Sequence, residues 1–267
     1  MKNSLFWMTA AAFTFLPLSF SGRSQPTSPA TASDAHPVVV ELFTSEGCSS
    51  CPPADALLLK LENTQPVRGA NVIAIEEHVD YWNHQGWTDP YSSSDWTQRQ
   101  VEYVTRLKDK EPYTPQIIVD GQTQVAGAES HVEEVIQNAA SQPQTPVTLS
   151  AADSPANGEL QFQVRVGKLI GDSDKDTAEI WLAVTESGLA SSVNAGENAG
   201  KNLQHASVLR SLRKIGVARP ATDVAFEGLP RLKFKSDWKR QNLQVVVFVQ
   251  EKKSMRILGA ASVPAAS

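Results

Sequence analysis

The hydrophobic pattern of the chain changes character part-way along. Val38-Val39-Val40-Glu41-Leu42-Phe43 is a nearly continuous apolar run suited to a buried strand. Thr44 to Gly47 reads as a turn. Ala54 to Glu62 reads as a helix, with Ala56, Leu57, Leu58, Leu59 and Leu61 giving it a wide apolar surface. Val72-Ile73-Ala74-Ile75 is a second strand. Strand, turn, helix and strand in that order predict a parallel βαβ unit with a right-handed crossover. His78 to Trp96 then breaks the rhythm with Tyr81, Trp82, Trp87, Tyr91 and Trp96 set among polar residues. Thr97 to Lys110 is a second helix. Ile117-Ile118-Val119-Asp120-Gly121 is a strand closing on a hairpin-type Asp-Gly turn, and Gln122 to Val125 is its return strand. Ser130 to Ala140 is a closing helix, with Ser130 as its cap and Glu133 three residues on.

Beyond Ser141-Gln142-Pro143-Gln144-Thr145-Pro146 the pattern turns to alternation. Val147 to Ala151, Leu160 to Val166, Ala178 to Val184 and Leu243 to Val249 are candidate strands. Leu203 to Lys214 fits one helix or two strands around a turn. Separated strands without regular helices predict a sandwich-like arrangement. The expected organisation is an α/β domain over 38–141, with an aromatic insert at 78–96, followed by a smaller β-rich domain over 147–267.

The start of the chain is of another kind. Lys2, the apolar run through Phe20 and the small residues Ser19, Ser21 and Gly22 predict a secretory signal peptide over 1–22. Pro17 interrupts the run, which is short for a membrane span, and no cysteine follows it to carry a lipid. Residues 23–37 have the Pro, Ser, Thr and Ala content of a flexible linker. A periplasmic or secreted protein with no stable membrane span in its mature chain is expected. The rest of the composition is that of an ordinary globular protein, 41% hydrophobic and 20% charged, with a formal net charge of -5 over 267 residues. Nothing in it offers nucleic acid a basic footprint.

Composition matters most at cysteine. The chain has two, Cys48 and Cys51, and the loop they close is tiny, so linking them removes little unfolded-chain entropy. Chemistry or a metal explains such a pair better than a staple does. A Cys-x-x-Cys between strand and helix is the redox arrangement of thioredoxin-like folds. The unpaired N–H groups and dipole of a helix start stabilise a thiolate, the reactive form of the sulfur. Cys48 is then the attacker and Cys51 the resolver. Pro52-Pro53 moderates this, because each proline disfavours helix in its predecessor, so the regular helix is expected from Pro53. Thr114-Pro115 ahead of the hairpin fits a cis-proline facing the cysteines, or an ordinary loop proline. Glu41, seven positions before Cys48, is either a buried acceptor for the Cys51 proton or a solvent-facing carboxylate.

Val39 to Asp55 resembles the opening motif of a bacterial exported family of unknown function, DUF1223. His78-Val79-Asp80-Tyr81-Trp82, Gly86-Trp87, Asp89-Pro90-Tyr91, Arg99-Gln100, Tyr113-Thr114-Pro115-Gln116 and Gly196-Glu197-Asn198 through Leu203 and His205 are similar to its later motifs. The resemblance implies a thioredoxin-like domain followed by a β-rich one, and supplies no function. Glu76-Glu77 departs from the smaller or apolar residues expected ahead of His78.

The function expected is thiol–disulfide exchange by Cys48 and Cys51 on exported protein thiols or disulfides, or on a redox partner protein, with no cofactor. His78, Asp80 and Trp82 are candidate substrate-groove residues; packing of the insert is the alternative, and His78 is also a possible metal ligand. A non-catalytic binding module with a structural disulfide is the second reading. A copper(I) or zinc carrier using the two thiolates is the third, and no metal site is assigned. Glu197, Asn198, Lys201, Asn202 and His205 form a polar cluster that either recognises a partner or the first domain's site, or is a solvated loop.

Overall fold

The computed structural model describes Met1 and residues 35–125, 129–152, 159–171 and 176–265. The signal-peptide expectation and most of the linker lie outside the described residues. Fourteen strands and three longer helices are described: β1 (His36–Thr44), α1 (Pro52–Thr64), β2 (Ala70–His78), α2 (Ser94–Leu107), β3 (Gln116–Val119), β4 (Thr123–Val125), α3 (Glu129–Ala140), β5 (Val147–Ala151), β6 (Leu160–Gly167), β7 (Ala178–Glu186), β8 (Leu189–Ser192), β9 (Asn202–His205), β10 (Val208–Val217), β11 (Val224–Gly228), β12 (Arg231–Leu232), β13 (Leu243–Glu251) and β14 (Ile257–Pro264).

Eight strands share one mixed sheet in the order β14-β13-β7-β10-β2-β1-β3-β4. β1 and β2 are parallel, with α1 as their crossover, and β3 runs antiparallel to β1. β10 joins the free edge of β2 in parallel, through the pair Val208–Glu76 and the bond from Glu76 N to Ser207 O at 2.9 Å. From β10 the sheet continues antiparallel through β7, β13 and β14. β5, β6, β11 and β12 form a second, smaller sheet, and β8 and β9 a two-stranded ribbon.

This overturns the expected thioredoxin-like α/β domain followed by a smaller sandwich-like β domain. The protein is mostly β, and strands from both halves of the chain build a single sheet. β7 and β13 are buried on both faces, so their apolar runs carry no information about which strand lies alongside. Leu203–Lys214, open between helix and strands, is β9 and β10 around a turn at Ser207 (φ 51°). Ser130 lies inside α3 rather than capping it.

The pleat distributes the core. On one face, Val39, Ile73, Ile75, Ala183, Leu209, Val246 and Phe248 pack with Trp96 of α2. On the other, Val38, Val40, Leu42, Val72 and Ala74 pack under α1 and α3, while Ile180, Leu182, Val245 and Val247 pack against Phe162 and Val164 of the small sheet. The β3–β4 turn closes on the start of β14, where Ile257 N donates to Asp120 O at 2.9 Å.

Asp120 sits in that closure with φ 45°, and its Oδ1 accepts from Val39 N at 2.8 Å. Burial pushes its carboxyl up to about 7, against the bond from Val39, with the charge of Glu41 adding to the rise. A folded-state value above the unfolded one means that stability falls as pH rises from the unfolded value toward 7. Asp120→Asn keeps the acceptor and tolerates the left-handed backbone. It should leave stability nearly unchanged at pH 4 and raise it on the order of 1–2 kcal/mol at pH 8 in urea unfolding.

Candidate functional site

The cysteine turn is built where β1 meets α1. Gly47 N donates to Ser45 Oγ at 3.1 Å, and Cys48 N to Ser45 O at 3.1 Å. Cys51 N closes back on Cys48 O at 3.2 Å, and the two sulfurs form a disulfide across a Cα separation of 5.5 Å. Cys51 is the N-cap of α1, and its carbonyl receives Ala54 N and Asp55 N. The helix therefore starts at Pro52, one residue earlier than the double proline suggests, at a position where a missing N–H leaves nothing unsatisfied. Ser49 and Ser50 are exposed, but both cysteines are fully buried.

The loop between β8 and β9 covers the turn. Asn198 is fully buried, and its Nδ2 donates to Glu46 O at 2.8 Å and to Cys48 O at 2.9 Å. Glu197 Oε2 accepts from Ser49 N at 3.1 Å, and hydrogen bonding from the Ser49 side chain and then its backbone lowers the Glu197 pKa. Gly196, at φ 75°, lies so close to the aromatic insert that an added Cβ would come within 3.3 Å of Gln85 O and Trp87 Cβ.

Behind the turn lies a buried group of carboxylates and imidazoles. Glu46, Glu76, His78 and His205 are all essentially solvent-free, and Asp89 nearly so. His78 Nδ1 meets Asp89 Oδ2 at 2.7 Å, and His78 Nε2 meets Glu76 Oε1 at 3.2 Å. His205 Nδ1 meets the same Glu76 Oε1 at 2.8 Å, and its Nε2 meets Glu46 Oε1 at 3.1 Å. Burial disfavours both imidazolium ions, but their carboxylate partners win: His78 is held well above the ordinary histidine range, and His205 at about 9. Glu76 and Asp89 are correspondingly lowered against the pull of burial. Asp55, on the first turn of α1, behaves oppositely. Burial and the charge of Glu76 push it up to about 7, although Thr44 Oγ1 donates to it at 2.6 Å. Glu76, His78 and His205 each present one potential metal-ligating atom within 4.8 Å of the others.

The other predicted site residues lie apart from this group, on the insert, ahead of β3 and on the opposite face of the sheet. Trp82 lies where a Cβ on Gly47 would come within 3.0 Å of its own Cβ, and its Nε1 donates to Thr114 Oγ1 at 2.8 Å. The Thr114–Pro115 bond is cis. Asp80 Oδ1 accepts from Thr97 Oγ1 at 2.6 Å and so ties the insert to α2. Glu41 is buried on the α2 face of the sheet, where Arg99 and Tyr103 hold its carboxylate. The alternation of β1 points it away from the face under α1.

Residues 39–250 match the family described as Protein of unknown function (DUF1223). The chain belongs to the DUF1223 family. A protein from Agrobacterium tumefaciens of solved structure is 24% identical over 87% of this chain and 96% of its own, with a TM-score of 0.65. HBP35 of Porphyromonas gingivalis is 16% identical over 86% of this chain and 75% of its own, with a TM-score of 0.66. At these identities the likeness is one of fold. No curated protein matches the chain. Among the described residues of this DUF1223 protein, no helix is long and apolar enough to cross a membrane.

Sequence reasoning missed Glu46, Asp55, Glu76 and Asp89 as members of the site. The signal for Glu76 was present in Glu76-Glu77, two acidic residues ending an apolar strand, where the pleat sends one to each face. His205 and Asn198 stood in the polar cluster read either as recognition or as a solvated loop; both are buried against the cysteine turn. If the Asn198 bonds hold the cover over the disulfide, Asn198→Ala should destabilise the protein by about 2 kcal/mol. It should also speed reduction of Cys48–Cys51 by dithiothreitol several-fold, read by quenched thiol alkylation. An unchanged reduction rate would mean that the loop does not guard the sulfurs.

Proposed function

We propose that this protein is exported and exchanges thiols with disulfides through Cys48 and Cys51. The observation that carries the reading is the placement of the pair: a three-residue-spaced disulfide with one sulfur at the N-cap of a helix. The peptide N–H groups at that end favour the thiolate released when the bond opens. A disulfide also suits an oxidising compartment, which supports export.

In the oxidised form the protein acts on a client dithiol. A client thiolate attacks Cys48 Sγ, the Cys48–Cys51 bond breaks, and Cys51 leaves as a thiolate. The second client thiol, on losing its proton, attacks the client sulfur of the mixed disulfide and frees Cys48. The client is oxidised by two electrons and the protein is reduced by two. Asp55, a turn along α1 from Cys51 and carrying a proton up to about pH 7, is the group assigned to protonate the leaving Cys51. Attack requires the Glu197–Asn198 cover to lift, because both sulfurs are buried. That same burial favours a second reading, in which the disulfide is structural and the protein is a binding module.

Equilibration of the pair against glutathione and dithiothreitol series separates the two readings. A potential of roughly -120 to -270 mV is expected for an exchange catalyst. A value below roughly -300 mV would assign the disulfide to structure. Cys48→Ser should abolish oxidation of a dithiol peptide.

A further inference from the structure

Glu76, His78 and His205 have no role in the exchange chemistry beyond their proximity to the turn, yet they are arranged as ligands. We infer that Glu76 Oε1, His78 Nε2 and His205 Nδ1 bind a divalent first-row transition ion of the zinc type. Two imidazoles and one carboxylate are the donors such ions take. The carboxylate oxygen stands 3.2 Å from one ring nitrogen and 2.8 Å from the other. Bonds of about 2.0–2.1 Å in tetrahedral geometry separate ligand atoms by about 3.3 Å. The two oxygen–nitrogen separations need to widen by at most about half an ångström, and the two ring nitrogens lie within 4.8 Å of one another.

The surroundings strengthen the assignment. Each histidine offers its other nitrogen to a buried carboxylate, His78 Nδ1 to Asp89 and His205 Nε2 to Glu46. This carboxylate–histidine pairing fixes ring orientation and raises ligand basicity in metal sites. Glu76 Oε2 accepts from Ala206 N at 2.8 Å, which leaves Oε1 as the ligand atom. Asp89 is itself oriented by Glu46 N and Tyr91 N.

The ligands are buried, and the Tyr91 ring stands 5.4 Å from that of His78 and 5.5 Å from that of His205. Tyr91 also lines a cleft of about 390 Å³ together with Arg210 and Trp238. It thus separates the ligands from that cleft, so uptake by the folded protein is slow.

The test uses the full chain with its disulfide intact, which removes the thiolates as ligands and makes the outcome independent of exchange activity. Chelator-treated protein is held with Zn²⁺ to equilibrium, passed through gel filtration and analysed for metal. One equivalent per chain is expected. Asp89→Asn should weaken Zn²⁺ binding roughly ten- to a hundredfold in chelator competition, and Glu76→Gln by about a hundredfold or more. Should these variants misfold, Co²⁺ added to the wild type decides. Four- or five-coordinate d–d bands without a thiolate charge-transfer band support the site. No retained Zn²⁺, a six-coordinate Co²⁺ spectrum, or unchanged affinity in folded variants would overturn it.

Discussion

The contact between Glu76 and the His205–Ser207 turn is the constraint on which the architecture depends. Glu76 accepts from His205 Nδ1 and Ala206 N, and its own backbone N–H binds Ser207 O. This is the seam where β10 joins β2, a pairing with a single registered partner, Val208. So short a ladder contributes little by itself. The buried ion pairs beside it are costly to desolvate and tolerate few alternative arrangements. Removing one partner would strand a charge in the interior, so β10 has strong reason to dock in this register.

The same seam carries the cysteine turn. Glu46 answers to His205 through Oε1, to Trp87 through Oε2, and to Asn198 through its carbonyl. Cys48, two residues on, shares Asn198 with it. The disulfide is thus anchored by residues more than a hundred positions away. A change at β9 or in the cover loop reaches the sulfurs through two hydrogen bonds.

Adjacent acidic residues on β2 play separate parts because the strand alternates. Glu76 faces α1 and the imidazoles. Glu77 faces α2, where Arg99 lies 3.5 Å from it and burial holds its carboxyl protonated well above the ordinary range, with the nearby charge of Glu41 adding to the rise. The α2-face cluster of Glu41, Arg99, Tyr103 and Gln250 links β1 to β13 just as the α1-face cluster links β2 to β9. Each face of the sheet has its own buried polar link between the two halves of the chain.

Local chemistry was legible in the residues alone. The run from Val38 to Phe43 made β1, the leucines after Ala54 made α1, and Asp120-Gly121 turned β3 into β4. Nearness in sequence fixed the Cys48–Cys51 pairing, since the chain has no other cysteine. Tertiary structure decided which strand lies beside β2, and with it the single sheet in place of two domains. It also decided that Glu46, Glu76, Asp89, His78 and His205 share one buried volume, and that Glu41 belongs to the opposite face. The physical reason is range. Periodicity and turn chemistry act over a few residues and report which face of an element is buried. Strand partners and ion pairs more than a hundred residues apart are chosen by shape and charge, which only the assembled fold brings together.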